Sequence, residues 1–359
     1  MRVDRRGLHA ALRELALVAT PRAAPPILGH VLLVGTSQKL TLRATDFGVE
    51  ITHVMAAEGD NLAACVPAAL LMQIVKPDRQ AENSTIEIEQ FADDKISVIV
   101  DGVQSTVNSA APADYPSAIA GQSTSWSLVA EWPAAELHES LGYALVAMSN
   151  DSTRPNLCTM LLDRHCAVAT DGHRLHMAAL PGKLPQPMLL RSTAARMLHR
   201  LLPWANKVRI GRTDDVVRFH IGTWLLDTRI ADEVFPQYRQ VVPAASNQPT
   251  QLKVDAQLLA RALRRIERLS GDKHIHVRVN GALCLGAGSS DMGEAKIELP
   301  VIENTHRGED LVTGVNARYL FDALPDRPGP VGLGFSDPLG PLRVDAVGNK
   351  TAVIMPVRV

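Results

Sequence analysis

Three short segments carry apolar residues at the same spacing, i, i+2, i+3, i+6 and i+7: Ala68, Leu70, Leu71, Ile74 and Val75; Ala195, Met197, Leu198, Leu201 and Leu202; Ala317, Tyr319, Leu320, Ala323 and Leu324. That spacing lays one apolar stripe along a helix of about two to three turns. Pro67 suits the first turn of the first helix and Asn316 caps the third, while Pro77, Pro203 and Pro325 stand at or beyond the ends, where a helix must stop. Longer patterns with apolar positions three and four apart run over 6–18, 133–148 and 256–269, predicting a second helix in each third of the chain. Between the helices the period changes to two, as in Thr85–Glu89, Lys95–Val100, Val208–Ile210 and His274–Val279, which predicts half-buried strands. Asp93-Asp94 and Asn280-Gly281 read as hairpin turns.

Other landmarks recur at the scale of a domain. Ala44-Thr45-Asp46 returns as Ala169-Thr170-Asp171, and Asp114-Tyr115-Pro116 is echoed by Val234-Phe235-Pro236. Repeats of this size reveal architecture before function. The fold class expected is α+β, three repeated domains over 1–122, 123–247 and 248–359, each with two helices packed on antiparallel sheet. A length of 359 residues agrees with two or three domains.

Composition excludes more than it assigns. A formal net charge of -1 advertises neither nucleic acid nor anionic membrane, so only local clustering can supply such a partner. Basic residues do cluster on the predicted helices: Arg5, Arg6 and Arg13; Arg191, Arg196, Arg200 and Lys207; Arg261, Arg264, Arg265 and Arg268. Such faces suit sequence-independent phosphate contacts, and equally an ordinary solvated helix face. Cys65, Cys158, Cys166 and Cys284 lack C-x-x-C spacing and read as reduced thiols of a cytoplasmic protein. Arg13 and Glu14 interrupt any signal-peptide core, and no run approaches the ~18 apolar residues of a spanning helix, so no membrane partner is expected.

Enzymatic motifs are missing as well. His173 and His176 lie three apart without the Glu of an H-E-x-x-H pattern, and Asp171-His173 has no nucleophile with an orienting partner. Gly286-Ala287-Gly288 and Gly332-Leu333-Gly334 lack a dinucleotide-binding context, and there is no phosphate loop. No metal and no cofactor are expected.

Ala169-Thr170-Asp171-Gly172-His173-Arg174-Leu175 in the middle repeat and the ending Ile354-Met355-Pro356-Val357-Arg358-Val359 together resemble the bacterial DNA polymerase III subunit beta, or beta sliding clamp, family. Pro26-Ile27-Leu28-Gly29, Val66-Pro67-Ala68, Pro112–Pro116 and Phe235-Pro236-x-Tyr238-Arg239 keep the same order, so the resemblance covers essentially the whole chain. It implies a non-catalytic processivity factor: a head-to-tail homodimer forming a ring around double-stranded DNA, independent of sequence, with helices inside and continuous sheet outside. It also implies a groove for short linear peptides of DNA polymerases and the clamp loader. By the same resemblance that groove is walled by Leu157, Thr170, Gly172, His173, Arg174, Leu175, Pro236, Val241, Val353, Ile354, Met355, Pro356, Val357 and Arg358, with Arg174 and Arg358 as rim groups for polar partners or a carboxylate. Read from residues alone, 353–357 is an ordinary terminal strand. DNA contacts fall to Arg22 and Arg154 in loops and to Arg191, Arg196 and Arg200, and the dimer interface to Ser105, Val107, Arg268 and Leu269. Ser105 and Arg268 stand where one branch of the family buries large apolar residues, and Gln240 and Val357 also depart from its pattern. A weak ring with altered peptide preference is the resulting expectation. A monomeric, clamp-derived adaptor that uses the groove without encircling DNA is the alternative.

Overall fold

A computed structural model describes residues 1–20, 24–77, 85–119, 121, 126–270, 274–289, 293–307 and 309–358. Among them are six α-helices: α1 (Arg5–Leu15), α2 (Ala68–Ile74), α3 (Ala134–Leu145), α4 (Ser192–Leu201), α5 (Ala256–Ser270) and α6 (Ala317–Asp322). All six fall where apolar spacing placed them. α1 ends three residues early because the chain tightens into a turn at Ala16, whose N–H bonds back to Leu12 and Glu14. Asn316 caps α6 as expected, its side chain accepting from the N–H groups of Arg318 and Tyr319. None of these helices is long and apolar enough to cross a membrane.

The element order is the same three times over. Each repeat runs strand, helix, four strands, helix, three strands; the last inserts one extra two-residue strand, Glu303–Asn304. All strand pairs are antiparallel, so the chain is α+β with few helices on extensive sheet. The expected hairpins form: Thr85–Ala92 returns through Asp93-Asp94 as Lys95–Val100, and His274–Asn280 turns at Gly281 into Ala282–Ser289.

The chain separates into two compact units that cut through the middle repeat, Met1–Ala135 with Arg196–Ile230, and Glu136–Ala195 with Ala231–Val359. The first holds a 12-stranded sheet in which Val49–Glu58 of the first repeat pairs with Trp224–Arg229, the last strand of the middle repeat. The second holds a nine-stranded sheet in which Arg174–Ala179 of the middle repeat pairs with Lys350–Ile354, the last strand of the third. The two junctions use equivalent strands. The third equivalent of that donor strand, Gly293–Leu299, is an edge of a four-stranded sheet, and the first repeat's last strand, Val103–Asn108, is an edge of the 12-stranded sheet.

Candidate peptide groove and basic helix

The groove begins as a tight turn. Thr170 Oγ donates to the Arg174 carbonyl (2.6 Å) and accepts from Gly172 N–H, while Asp171 Oδ1 accepts from the N–H groups of His173 and Arg174 at 2.9 and 3.0 Å. Gly172 sits at φ +91°, a left-handed conformation that L side chains adopt rarely, and a Cβ there would meet Arg154 Nη1 at 3.4 Å and Leu157 at 3.7 Å. From this turn the strand Arg174–Ala179 pairs with Lys350–Ile354, Leu175 opposite Val353, and Met355 N–H reaches the His173 carbonyl at 2.9 Å. Val357 continues the tail by bridging to Gly314. Sequence-distant halves of the candidate site are thereby joined through backbone pairing.

Leu175 and Val353 share one face with Val168 and Tyr238, and Phe235, Val242, Cys166 and Met177 pack against them. A cavity of about 490 Å³ opens along this face, lined by Cys166, Met177, Tyr238, Val242 and Arg343 among others. None of the residues expected in the groove lines that cavity; Val241 and Met355 are half-exposed large apolar residues, His173 and Arg358 are exposed, and Pro236 and Pro356 are half-buried. The segment around Pro236 is pinned to the sheet by Asp163, which accepts from Tyr238 Oη (2.7 Å) and Arg239 Nη2 (2.6 Å). Burial alone would raise the Asp163 carboxyl, but those two hydrogen bonds hold it below its ordinary value, and burial drives the Tyr238 phenol well up. Cys166, Met177, Val168 and Tyr238 were missed from sequence. Period-two alternation along 166–170 and 174–179 is the signal that marks the first three, whereas Tyr238 sits in a short 3-10 turn outside both strands.

Two residues assigned to the groove turn away from it. Ile354 lies on the opposite face from Val353, in the core of the third repeat, because successive strand side chains alternate. Arg174 is not a free rim cation. Its side chain is 12% exposed and its guanidinium is taken by Asp171 (3.1 Å), by Asp322 of α6 (2.7 Å), by the Val146 carbonyl (2.7 Å) and by the Tyr319 ring. Three of its five N–H donors have partners inside its own unit, so it is held by the turn, α6 and the residue after α3 rather than standing free at the rim. His176, three residues from His173, is fully buried and gives no shared metal site with it. Its Nδ1 donates to the Tyr143 carbonyl at 3.0 Å, and burial lowers its pKa to about 4 against the opposing pull of that bond.

The candidate DNA-contacting arginines are differently placed. Arg22 lies outside the described residues. Arg154 stands at the mouth of the groove beside Gly172, paired with Asp151 at 3.0 Å. Arg191 pairs with Glu233 at 3.1 Å, Arg200 with the buried Glu14, and Arg196 is exposed on α4. On α5 the pattern is cleaner. Arg261, Arg264, Arg265 and Arg268, at i, i+3, i+4 and i+7, line a concavity of about 430 Å³, and none makes an ion pair with a described carboxylate. Leu259, Ala262, Leu263 and Ile266 anchor the opposite face of α5 in the core. Among the described residues, Arg264 has one further partner, the Phe321 ring at 4.7 Å.

Of the candidate dimer residues, Ser105 is half-buried on the edge strand, and Arg268 belongs to the α5 stripe. Val107 is fully buried within its own unit, so its side chain is spent on the local core and only its backbone lies at the edge. The side chain of Leu269 lies outside those described.

Comparison with known proteins follows the same outline. The family model for the DNA polymerase III beta subunit, N-terminal domain, matches residues 1–119, and that for its C-terminal domain matches 239–358. The beta sliding clamp of Caulobacter vibrioides is 28% identical over 378 residues, 99% of each chain; that of Pseudomonas aeruginosa is 29% identical over 339 residues, 90% of this chain and 89% of its own. Among solved structures, the P. aeruginosa DNA polymerase III subunit beta sliding clamp bound to griselimycin superposes with a TM-score of 0.88 at 27% identity, covering 100% of this chain and 99% of that one. Caulobacter crescentus pol III beta gives 0.87 at 26%, with the same coverage.

Proposed function

The chain belongs to the DNA polymerase III beta subunit family, whose similar members are DNA polymerase sliding clamps, and on that premise we propose that it works as a sliding clamp. Two copies join head to tail into a ring around duplex DNA, and the groove beside Gly172 and Met355 receives short peptides of polymerases and of the clamp loader. The role is non-catalytic. The three domains are the repeats at 1–122, 123–247 and 248–359.

One observation carries the reading. Both internal junctions join the strand after the hairpin of one repeat to the last strand of the next, which leaves Gly293–Leu299 and Val103–Asn108 as the unpaired halves of a third such junction. A second copy supplies each half with its partner, and closure after two subunits leaves none of these edges open. The edge strand Val103–Asn108 carries no charge and no proline, the usual devices that protect a free edge. The α5 stripe supports the duplex contact: four guanidinium groups within about 10 Å of helix approach the charge spacing of a DNA backbone.

A monomeric adaptor is the second reading, favoured by the residues expected at the dimer interface: Ser105 is polar, Arg268 is charged and the Val107 side chain is buried in its own unit. Sedimentation across a dilution series, with retention on closed circular against linear DNA, decides between them. A dimer that stays on circles and slides off linear ends supports the clamp. A monomer at every concentration with no such difference supports the adaptor. Replacing Arg261, Arg264 and Arg265 by Gln should lower the slope of log affinity against log salt by about 0.9 for each phosphate that the variant leaves unneutralised.

A further inference from the structure

We propose that Asp322, outside the groove on α6, is a positioning residue for peptide binding, acting through Arg174 on the turn at Gly172; this rests on reading the groove as a peptide site. The turn contributes one acceptor to Arg174, Asp171 Oδ2 on its Nε, and α6 contributes the other carboxylate, Asp322 Oδ2 on Nη1. Asp322 is itself fixed from the far side, since its Oδ1 accepts from Arg318 Nε at 2.9 Å and its side chain is only 9% exposed. The ring of Phe321, beside it, has the guanidinium groups of Arg264 and Arg318 at 4.7 and 5.6 Å from its centroid.

The first repeat shows what this link is not for. Thr45 and Asp46 build the same turn with the same hydrogen bonds, and Val49 stands where Arg174 would be. The turn therefore forms without a cation. What Arg174 and Asp322 add is a fixed bearing of the turn on α6, so that Gly172, His173 and the Met355 backbone paired to His173 stand in one place relative to the Leu175–Val353 floor. A groove whose wall is held before the peptide arrives avoids the cost of ordering it afterwards.

The test is a labelled synthetic peptide carrying Leu and Phe, titrated against the full chain and against Asp322→Asn, Arg174→Gln and the double variant, with melting followed in parallel. Asp322→Asn should weaken peptide binding about tenfold, Asp322→Glu should recover most of it, and Asp322→Asn should have no further effect in the Arg174→Gln background. A purely structural carboxylate would lower the melting temperature and leave the affinity of the folded fraction unchanged, which overturns the proposal. So does a full Asp322→Asn effect that persists without Arg174. If Asp322→Asn does not fold, the Glu variant and Arg174→Gln carry the same comparison: native affinity in Arg174→Gln sinks the proposal. Failure of the native chain to bind the peptide sinks the groove reading and this inference together, whereas native binding with an unaffected Asp322→Asn sinks this inference alone.

Discussion

The turns at Thr45 and Thr170 are built alike and serve different ends. In each, the threonine hydroxyl donates to the carbonyl four residues on (3.0 Å to Val49, 2.6 Å to Arg174) and accepts the N–H two residues on. In each, one aspartate oxygen collects two consecutive N–H groups, and the residue after the aspartate is left-handed: Phe47 at φ +70°, Gly172 at +91°. The strand that follows joins the next repeat in both cases. They differ in what stands at the fifth position. Val49 is buried and ends the matter; Arg174 ties the turn to α6 and to the residue after α3. A repeated scaffold becomes a site through a single side chain whose partners lie far along the chain, while the backbone that presents it is common property.

The largest effect expected is in pH. Each strand after the turn carries a buried histidine: His53, stacked on Trp224 with ring centroids 4.2 Å apart, and His176. Burial lowers both to about 4, so the folded rings stay neutral while the unfolded chain takes up protons near 6.5. Stability is therefore complete above about pH 6.5 and is lost as pH falls toward 4, by on the order of 3 kcal/mol for each histidine. Denaturant melts between pH 7 and 4 check this, and replacing His53 or His176 by Gln should flatten the profile of the unit that holds it. An unchanged profile would show that the ring is charged in the fold.

Next comes Arg174→Ala against Val49→Ala. Removing Arg174 strips a half-buried cation from Asp171 and Asp322, whose side chains are 18% and 9% exposed, and should cost about 3 kcal/mol, besides loosening the groove. Val49→Ala removes two methyl groups and should cost about 2 kcal/mol or less, with no effect on peptide affinity. Equal loss of affinity in the two variants would break the distinction between the turns.

The smallest effect tests the left-handed position itself. Gly172→Ala should cost about 1–2 kcal/mol and bring a methyl group to 3.4 Å from Arg154 Nη1, whereas Phe47→Gly should be neutral or stabilising by less than about 1 kcal/mol. Thermal melts of both measure the strain carried by Phe47, and a stability gain in Gly172→Ala would show that the turn relaxes out of the left-handed region.

Much of this architecture was legible in the sequence. Apolar spacing located all six helices because each buries one stripe against sheet, and the recurrence of Ala44-Thr45-Asp46 at Ala169-Thr170-Asp171 marked equivalent turns because the aspartate and threonine side chains make their hydrogen bonds within five residues. Of the residues expected in the groove, Leu175 and Val353 share one apolar cluster, whereas Ile354, whose neighbour in sequence takes that face, lies in the core of the third repeat. Val107, expected at the dimer interface, buries its side chain in its own unit for a related reason: an edge strand still buries alternate residues in its own sheet. Arg174 resembled a rim cation until its partners appeared, one of them 148 residues away.

The sequence by itself determined the helices, the repeated plan and the local turns, since each depends on residues within a few positions of one another. Which strand lies beside which, which edges stay open and what Arg174 holds were decided only in the tertiary structure. Those are pairings between segments more than a hundred residues apart, and neither a hydropathy period nor a turn motif carries the address of a distant partner.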